Sequence, residues 1–139
     1  MSSAPASSQR LQGLQVVLEK VIHDQDAPKL PVDRPHAFIY FIKVTNLSPR
    51  TVRLVGRRWV LNGESGRREI LEGEGIGGET PVLAPGQEFA YNHYHATAES
   101  MTAAGSIHGE DSDGNRVHAR IPPFAMTIPW QDPQLELPF

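Results

Sequence analysis

The spacing Gly73-x-Gly75-x-x-Gly78 matches a phosphate-handling pattern in this 139-residue chain. In a dinucleotide-binding unit such a motif follows a strand and opens a helix whose N-terminus holds the pyrophosphate. Here it runs into Pro81, Pro85 and Gly86, so no helix of useful length follows and the dinucleotide fold is excluded. What remains is an anion nest of backbone N–H groups at Gly73, Gly75 and Gly78, with Arg57 and Arg58 as candidate cationic partners. Local charge opposes it. Residues 67 to 80 hold Arg67 and Arg68 against Glu69, Glu72, Glu74 and Glu79, a net of −2. Each like charge costs a phosphate roughly 1 kcal/mol even in bulk water at about 4 Å. The competing reading, that the glycines serve positive-φ positions in a tight loop, is preferred.

Histidine offers a second chemistry. His93 and His95 lie two apart in a strand-like run and so project from one face, a spacing that can chelate a metal. No carboxylate in that segment completes a site, although His108 or His118 could approach in three dimensions. The expectation is no metal and no cofactor, with His93 and His95 as the weak candidates. Asp111-x-Asp113-Gly114 has the look of a calcium loop, but an EF-hand needs glycine at its sixth position and glutamate at its twelfth, and the twelfth here is Pro122. It reads as a turn. With no G-x-S-x-G, no H-E-x-x-H and no cysteine, nothing indicates a nucleophile or a catalytic metal cage, so no catalytic residues are expected.

The chain must position these groups with a modest core. Hydrophobic residues are 39% and charged residues 21%, ordinary for one globular domain of this length. Thirteen basic against sixteen acidic side chains give a formal net charge of −3, the wrong balance for a nucleic-acid binder. The N-terminus MSSAPASSQR has neither a basic nor an apolar signal region, and the apolar run Ala37 to Ile42 is too short to span a bilayer. A cytoplasmic protein with no membrane partner is the expectation. Glycine and proline number twelve each and sit between apolar segments, as turns do.

Strand-like runs dominate. LQVVLEKVI (14–22) reads as a strand or a short helix, its β-branching favouring the strand, AFIYFIKVTN (37–46) is aromatic and β-branched, and TVRLVGRRWVLN (51–62) ends at Asn62-Gly63. EFAYNHYHA (88–96) alternates, placing Phe89, Tyr91, His93 and His95 on one face. MTAAGSIHGE and NRVHARI flank Asp113-Gly114, a hairpin signal of the type I′ kind, and PPFAMTIP forms a last short strand. Seven or eight short strands without helical periodicity predict an all-β, antiparallel sandwich or barrel. The layout expected is a disordered leader over 1–10, a β domain over 11–130 with Trp59 in its core, and an extended tail over 131–139.

Four segments, FIYFIKVTNLS (38–48), RRWVL (57–61), GEGIGGETPVLAPG (73–86) and IPPF (121–124) with Pro129, occur in the order and spacing of the ApaG domain, which the chain resembles over about residues 37 to 129. The resemblance implies a fibronectin type III or immunoglobulin-like β-sandwich. It implies little about activity: bacterial members are associated with diadenosine tetraphosphate metabolism by gene neighbourhood and with cobalt and magnesium tolerance, and eukaryotic members look like interaction modules. The expected function is a non-enzymatic binding module for a protein partner. The alternatives are a sensor of phosphate, pyrophosphate or a nucleotide at the Gly73–Gly78 loop, or a role in cobalt and magnesium homeostasis.

Overall fold

Alternating burial writes two sheets into the chain, and the computed structural model, which describes residues 7–25 and 30–129, shows them. In order the strands are β1 (Gln9–Arg10), β2 (Leu14–Asp24), β3 (His36–Asn46), β4 (Val52–Gly63), β5 (Arg68–Glu74), β6 (Val82–Leu83), β7 (Glu88–Thr97), β8 (Met101–Asp111) and β9 (Arg116–Met126). Strands β2-β3-β7 form a three-stranded sheet. The larger sheet runs β1-β9-β8-β4-β5, with β6 also paired to β4. The two inner faces enclose the core, as in a sandwich. Phe38, Tyr40, Ile42 and Val44 of β3 face Leu54, Trp59 and Leu61 of β4, Ile107 of β8, and Val117, Ala119 and Ile121 of β9; all are buried.

Several details correct the expectations. The leader ends earlier than residue 10, because Gln9–Arg10 pair with Val117 and His118. That pairing is parallel, a departure from an otherwise antiparallel sandwich. The two strands expected on either side of Pro122-Pro123 are one strand, β9. Register against β8 jumps there from Gly105↔Ile121 to Ala103↔Phe124, so both prolines sit opposite Ala104 in a bulge. A bulge accepts residues that have no N–H to give. The hairpin after β8 is not a two-residue I′ turn. Gly114 N–H donates to the Asp111 carbonyl at 3.0 Å and Asp111 N–H to the Asn115 carbonyl at 2.9 Å. The loop is therefore Ser112-Asp113-Gly114, with Gly114 at φ 82°, the three-residue form that ends in a left-handed residue. The expected tail, 131–139, and leader residues 1–6 lie outside the described residues.

The Asn-Leu-Ser signature has a structural cause. Asn46 is fully buried and donates through Nδ2 to the Arg50 carbonyl at 2.7 Å and the Leu83 carbonyl at 2.8 Å. Its Oδ1 accepts from Ser48 N–H at 3.1 Å and Ser48 Oγ–H at 2.6 Å. Its backbone N–H and carbonyl meet Gln87 and Gly86. One side chain thus ties the end of β3 to the start of β4 and to β6, with every polar atom paired.

Candidate functional site

The glycine loop follows β5 and closes on itself. Gly75 N–H donates to the Val55 carbonyl at 2.7 Å, Ile76 N–H to the Glu79 carbonyl at 2.7 Å, and Glu79 N–H back to Ile76 at 3.1 Å. Ile76 is fully buried and anchors the loop in the core. Of the three amides named for an anion nest, that of Gly75 is thus engaged within the protein. Left-handed backbone occurs at Gly75 (φ 74°), Gly77 (59°) and Gly78 (83°), not at Gly73. Gly73 is small for another reason: a Cβ there would lie 2.6 Å from the Arg57 guanidinium. Arg57 passes over it and donates through Nη1 to the Glu74 and Gly75 carbonyls at 2.9 and 3.1 Å. Arg57 therefore caps the loop.

Arg58, its neighbour, donates instead to Glu72 at 3.0 Å. Gly73, Arg57 and Arg58 share a shallow depression of about 490 Å³ with Glu72, Glu74 and His108. Gly75 and Gly78 do not line it. The depression gathers three of the five candidate residues with two glutamates beside them, and Arg57 also reaches a fourth, Gly75, at its carbonyl.

The histidines separate by environment. His95 points into the core, 6% exposed, its ring 4.7 Å from Trp59 and 4.9 Å from Tyr40. His95 Nε2 and Trp59 Nε1 have no hydrogen-bond partner among the described residues. Burial, then the nearby His93, pull His95 down to a pKa of about 4, so it is neutral at pH 7. Burial pushes the Tyr40 phenol up to about 12 against the opposing effect of Arg57, and raises Tyr91 further. His93 is exposed at the sheet margin and its Nδ1–H donates to the Tyr94 carbonyl at 3.2 Å. His108 and His118 belong to the other sheet. Among the described residues no group of three or more His, Cys, Asp or Glu is placed to hold a metal ion. Trp59, at 2% exposure, belongs to the core as its apolar neighbours foretold.

The family model of the ApaG domain matches residues 26–111 of the chain. The chain belongs to the ApaG family. A curated ApaG protein of Azoarcus sp. (strain BH72) is 37% identical over 120 residues, spanning 82% of this chain and 91% of that relative. One from Enterobacter sp. (strain 638) is 33% identical over 108 residues, 75% of this chain and 84% of its own length. A Bordetella pertussis crystal structure described as an ApaA protein superposes with a TM-score of 0.67 at 20% identity, covering 90% of this chain and all of that one. An X-ray structure of a Northeast Structural Genomics Consortium target gives 0.71 at 23% identity, over 84% and 88% of the two chains. These likenesses establish the sandwich as the ApaG fold. Among the described residues no helix is long and apolar enough to cross a membrane.

The ApaG signature then reads as architecture. Asn46 and Ser48 stitch a corner, Trp59 fills the core, and Gly75 to Gly78 turn a loop around Ile76. What the sequence reading did not find is the outer face of the small ApaG sheet. Register aligns Ile22, Ile39 and Tyr94 across all three strands, and places Phe41 in the next row between Lys20 and Asn92. Ile22 is 42% and Tyr94 46% exposed. Lys20 Nζ lies 4.6 Å over the Phe41 ring. The signal was available as the strict alternation of Phe38, Tyr40 and Ile42 with Ile39 and Phe41: when one set faces the core, the other set faces out.

Proposed function

We propose that this ApaG domain is a non-enzymatic, cytoplasmic binding module whose protein partner docks on the outer face of the three-stranded sheet. The observation that carries the reading is the lateral row Ile22–Ile39–Tyr94 with Phe41 beside it. An outward sheet face is normally polar when solvent covers it. A contiguous apolar and aromatic patch rimmed by Lys20, Lys43 and Asn92 has the composition of an interface centre with a polar rim. Tyrosine in such a patch contributes area at low entropy cost.

The test compares affinity captures from native lysate made with wild type and with Tyr94→Glu, read by quantitative mass spectrometry, followed by titration of the purified partner. A protein retained by wild type, lost by Tyr94→Glu and bound again in purified form supports the reading. Identical captures by both baits sink it. The non-enzymatic half has its own check. Pure protein should not turn over diadenosine tetraphosphate or nucleoside triphosphates; sustained hydrolysis abolished by a point substitution would refute it.

A further inference from the structure

The outer face of the larger sheet has the opposite character. Register sets Arg58 of β4, Ser106 of β8 and Arg120 of β9 in one lateral row, and His108, His118 and Arg10 of β8, β9 and β1 in the next. All six line one open cleft of about 820 Å³, within the usual size range of small-molecule sites. Ser106 Oγ lies 2.8 Å from His108 Nε2, and Ser8 Oγ 2.8 Å from His118 Nδ1. The His108 and His118 rings are 5.8 Å apart. The cleft exists because Gln9–Arg10 fasten onto β9, helped by Leu11 N–H donating to the His118 carbonyl at 3.1 Å.

Among the described residues no aspartate or glutamate lines this cleft. Among the described residues Arg10 and Arg120 form no ion pair, and Arg58 has only the exposed Glu72 at 3.0 Å. An exposed pair of that kind is weak and yields to a multivalent anion. Three guanidinium groups lining a concave surface create a positive field in a chain that is net acidic, and the two imidazoles add ring nitrogens for hydrogen bonding. The guanidinium fork matches a phosphate in two parallel hydrogen bonds. The same cleft has an apolar wall of Val17, Val60, Pro122 and Pro123. That wall is useless to a bare inorganic ion and suited to the carbon skeleton of its ester.

We propose that the cleft on the outer face of the β9-β8-β4 sheet binds a small organic phosphate, its phosphoryl oxygens held by Arg58, Arg120, Arg10 and the His108–His118 pair and its apolar portion lying on Val60, Pro122 and Pro123. The cleft shares Arg58 and His108 with the depression beside the glycine loop, so Arg120 and Arg10, neither of which lines that depression, are the residues that test it.

Calorimetric titration of the full chain with phenyl phosphate and with inorganic phosphate, at low and at physiological ionic strength, tests it. Phenyl phosphate should bind more tightly than inorganic phosphate, and added salt should weaken both. Arg120→Gln should weaken phenyl phosphate at least tenfold, the loss expected for charge-assisted hydrogen bonds of about 1.4 kcal/mol or more. Arg120 is exposed, so the variant should keep its melting temperature, and Arg10→Gln gives a second, independent removal of charge. Amide shifts in NMR spectra should centre on Ser106, His118 and Arg120. Absence of saturable binding at low ionic strength, unchanged affinity in both variants, or shifts centred on residues 73–78 would each overturn the site. Equal affinity for the two phosphates would overturn the organic part of the assignment.

Discussion

At the residue scale, Gly75 and Gly78 separate strain from crowding. Both are left-handed, at φ 74° and 83°. A side chain at Gly75 would also meet the Glu79 carbonyl at 2.9 Å, whereas among the described residues nothing lies within 4 Å of a Cβ at Gly78. Gly75→Val should therefore destabilise the domain by on the order of 3 kcal/mol, strain and displacement of the loop together. Gly78→Ala should cost about 1 kcal/mol from backbone strain alone. Chemical denaturation of the two variants measures both, and equal losses would refute the distinction. His95 gives a pH signature. Its folded pKa of about 4 lies below the ordinary 6.5, so the unfolded chain binds the extra proton. Stability from this group is complete above pH 6.5 and is lost as pH falls from 6.5 toward 4, by roughly 3 kcal/mol in all. His95→Phe should flatten that limb of the stability profile; a limb of unchanged slope would show that another group causes it.

At the scale of elements, the corner at Asn46 is the most exposed to a single substitution. Asn46→Ala strands the Leu83 and Arg50 carbonyls and Ser48, which now satisfy one another through the amide. Leaving buried groups unpaired costs about 1–3 kcal/mol each, so a loss of roughly 3 kcal/mol is expected. Hydrogen exchange should show it first in β6, which holds only Val82↔Arg53 and Leu83↔Val52. Exchange that accelerates evenly across all strands would argue against a local corner. The hairpin after β8 has a comparable internal device. Asp111 accepts from Asp113 N–H, Asn115 N–H and Asn115 Nδ2, and from Arg50 at 3.0 Å. The Asn115 contact leads in holding its carboxyl below the usual range. That contribution is present above pH 3.8 and disappears as pH falls through the lower folded value.

At the scale of the whole molecule, each sheet presents the core with one face and solvent with a face of different chemistry. The small sheet shows Ile22, Ile39, Phe41 and Tyr94; the large one shows Arg10, Arg58, Arg120 and two histidines. Because both surfaces lie outside the core, Tyr94→Glu and Arg120→Gln should each leave stability within about 0.5 kcal/mol of wild type, and the double variant should be additive within about the same margin. A larger coupling in thermal or chemical unfolding would mean that the two faces communicate through the sandwich.

The sequence by itself determined the class of fold, because side-chain alternation and turn chemistry are local: Phe38, Tyr40, Ile42 and Val44 specify an inward face whatever they meet there. It placed Trp59 in the core and excluded the dinucleotide fold from the prolines after Gly78 alone. Its errors were also at sites where the deciding partner is distant. Pro122-Pro123 looked like a break because the sequence does not show that Ala104 lies opposite and absorbs both in a bulge. The residue-10 end of the leader was wrong because Gln9 and Arg10 find their hydrogen bonds on β9, more than a hundred residues away. In the sequence Arg57 is a candidate partner for an anion, and only the fold shows it laid on the carbonyls of Glu74 and Gly75. Only tertiary structure gathers Arg10, Arg58, His108, His118 and Arg120, which come from four strands. The hairpin over Ser112-Asp113-Gly114 fixes β8 against β9 locally, but β4 and β1 join them from distant parts of the chain, and no local spacing encodes that.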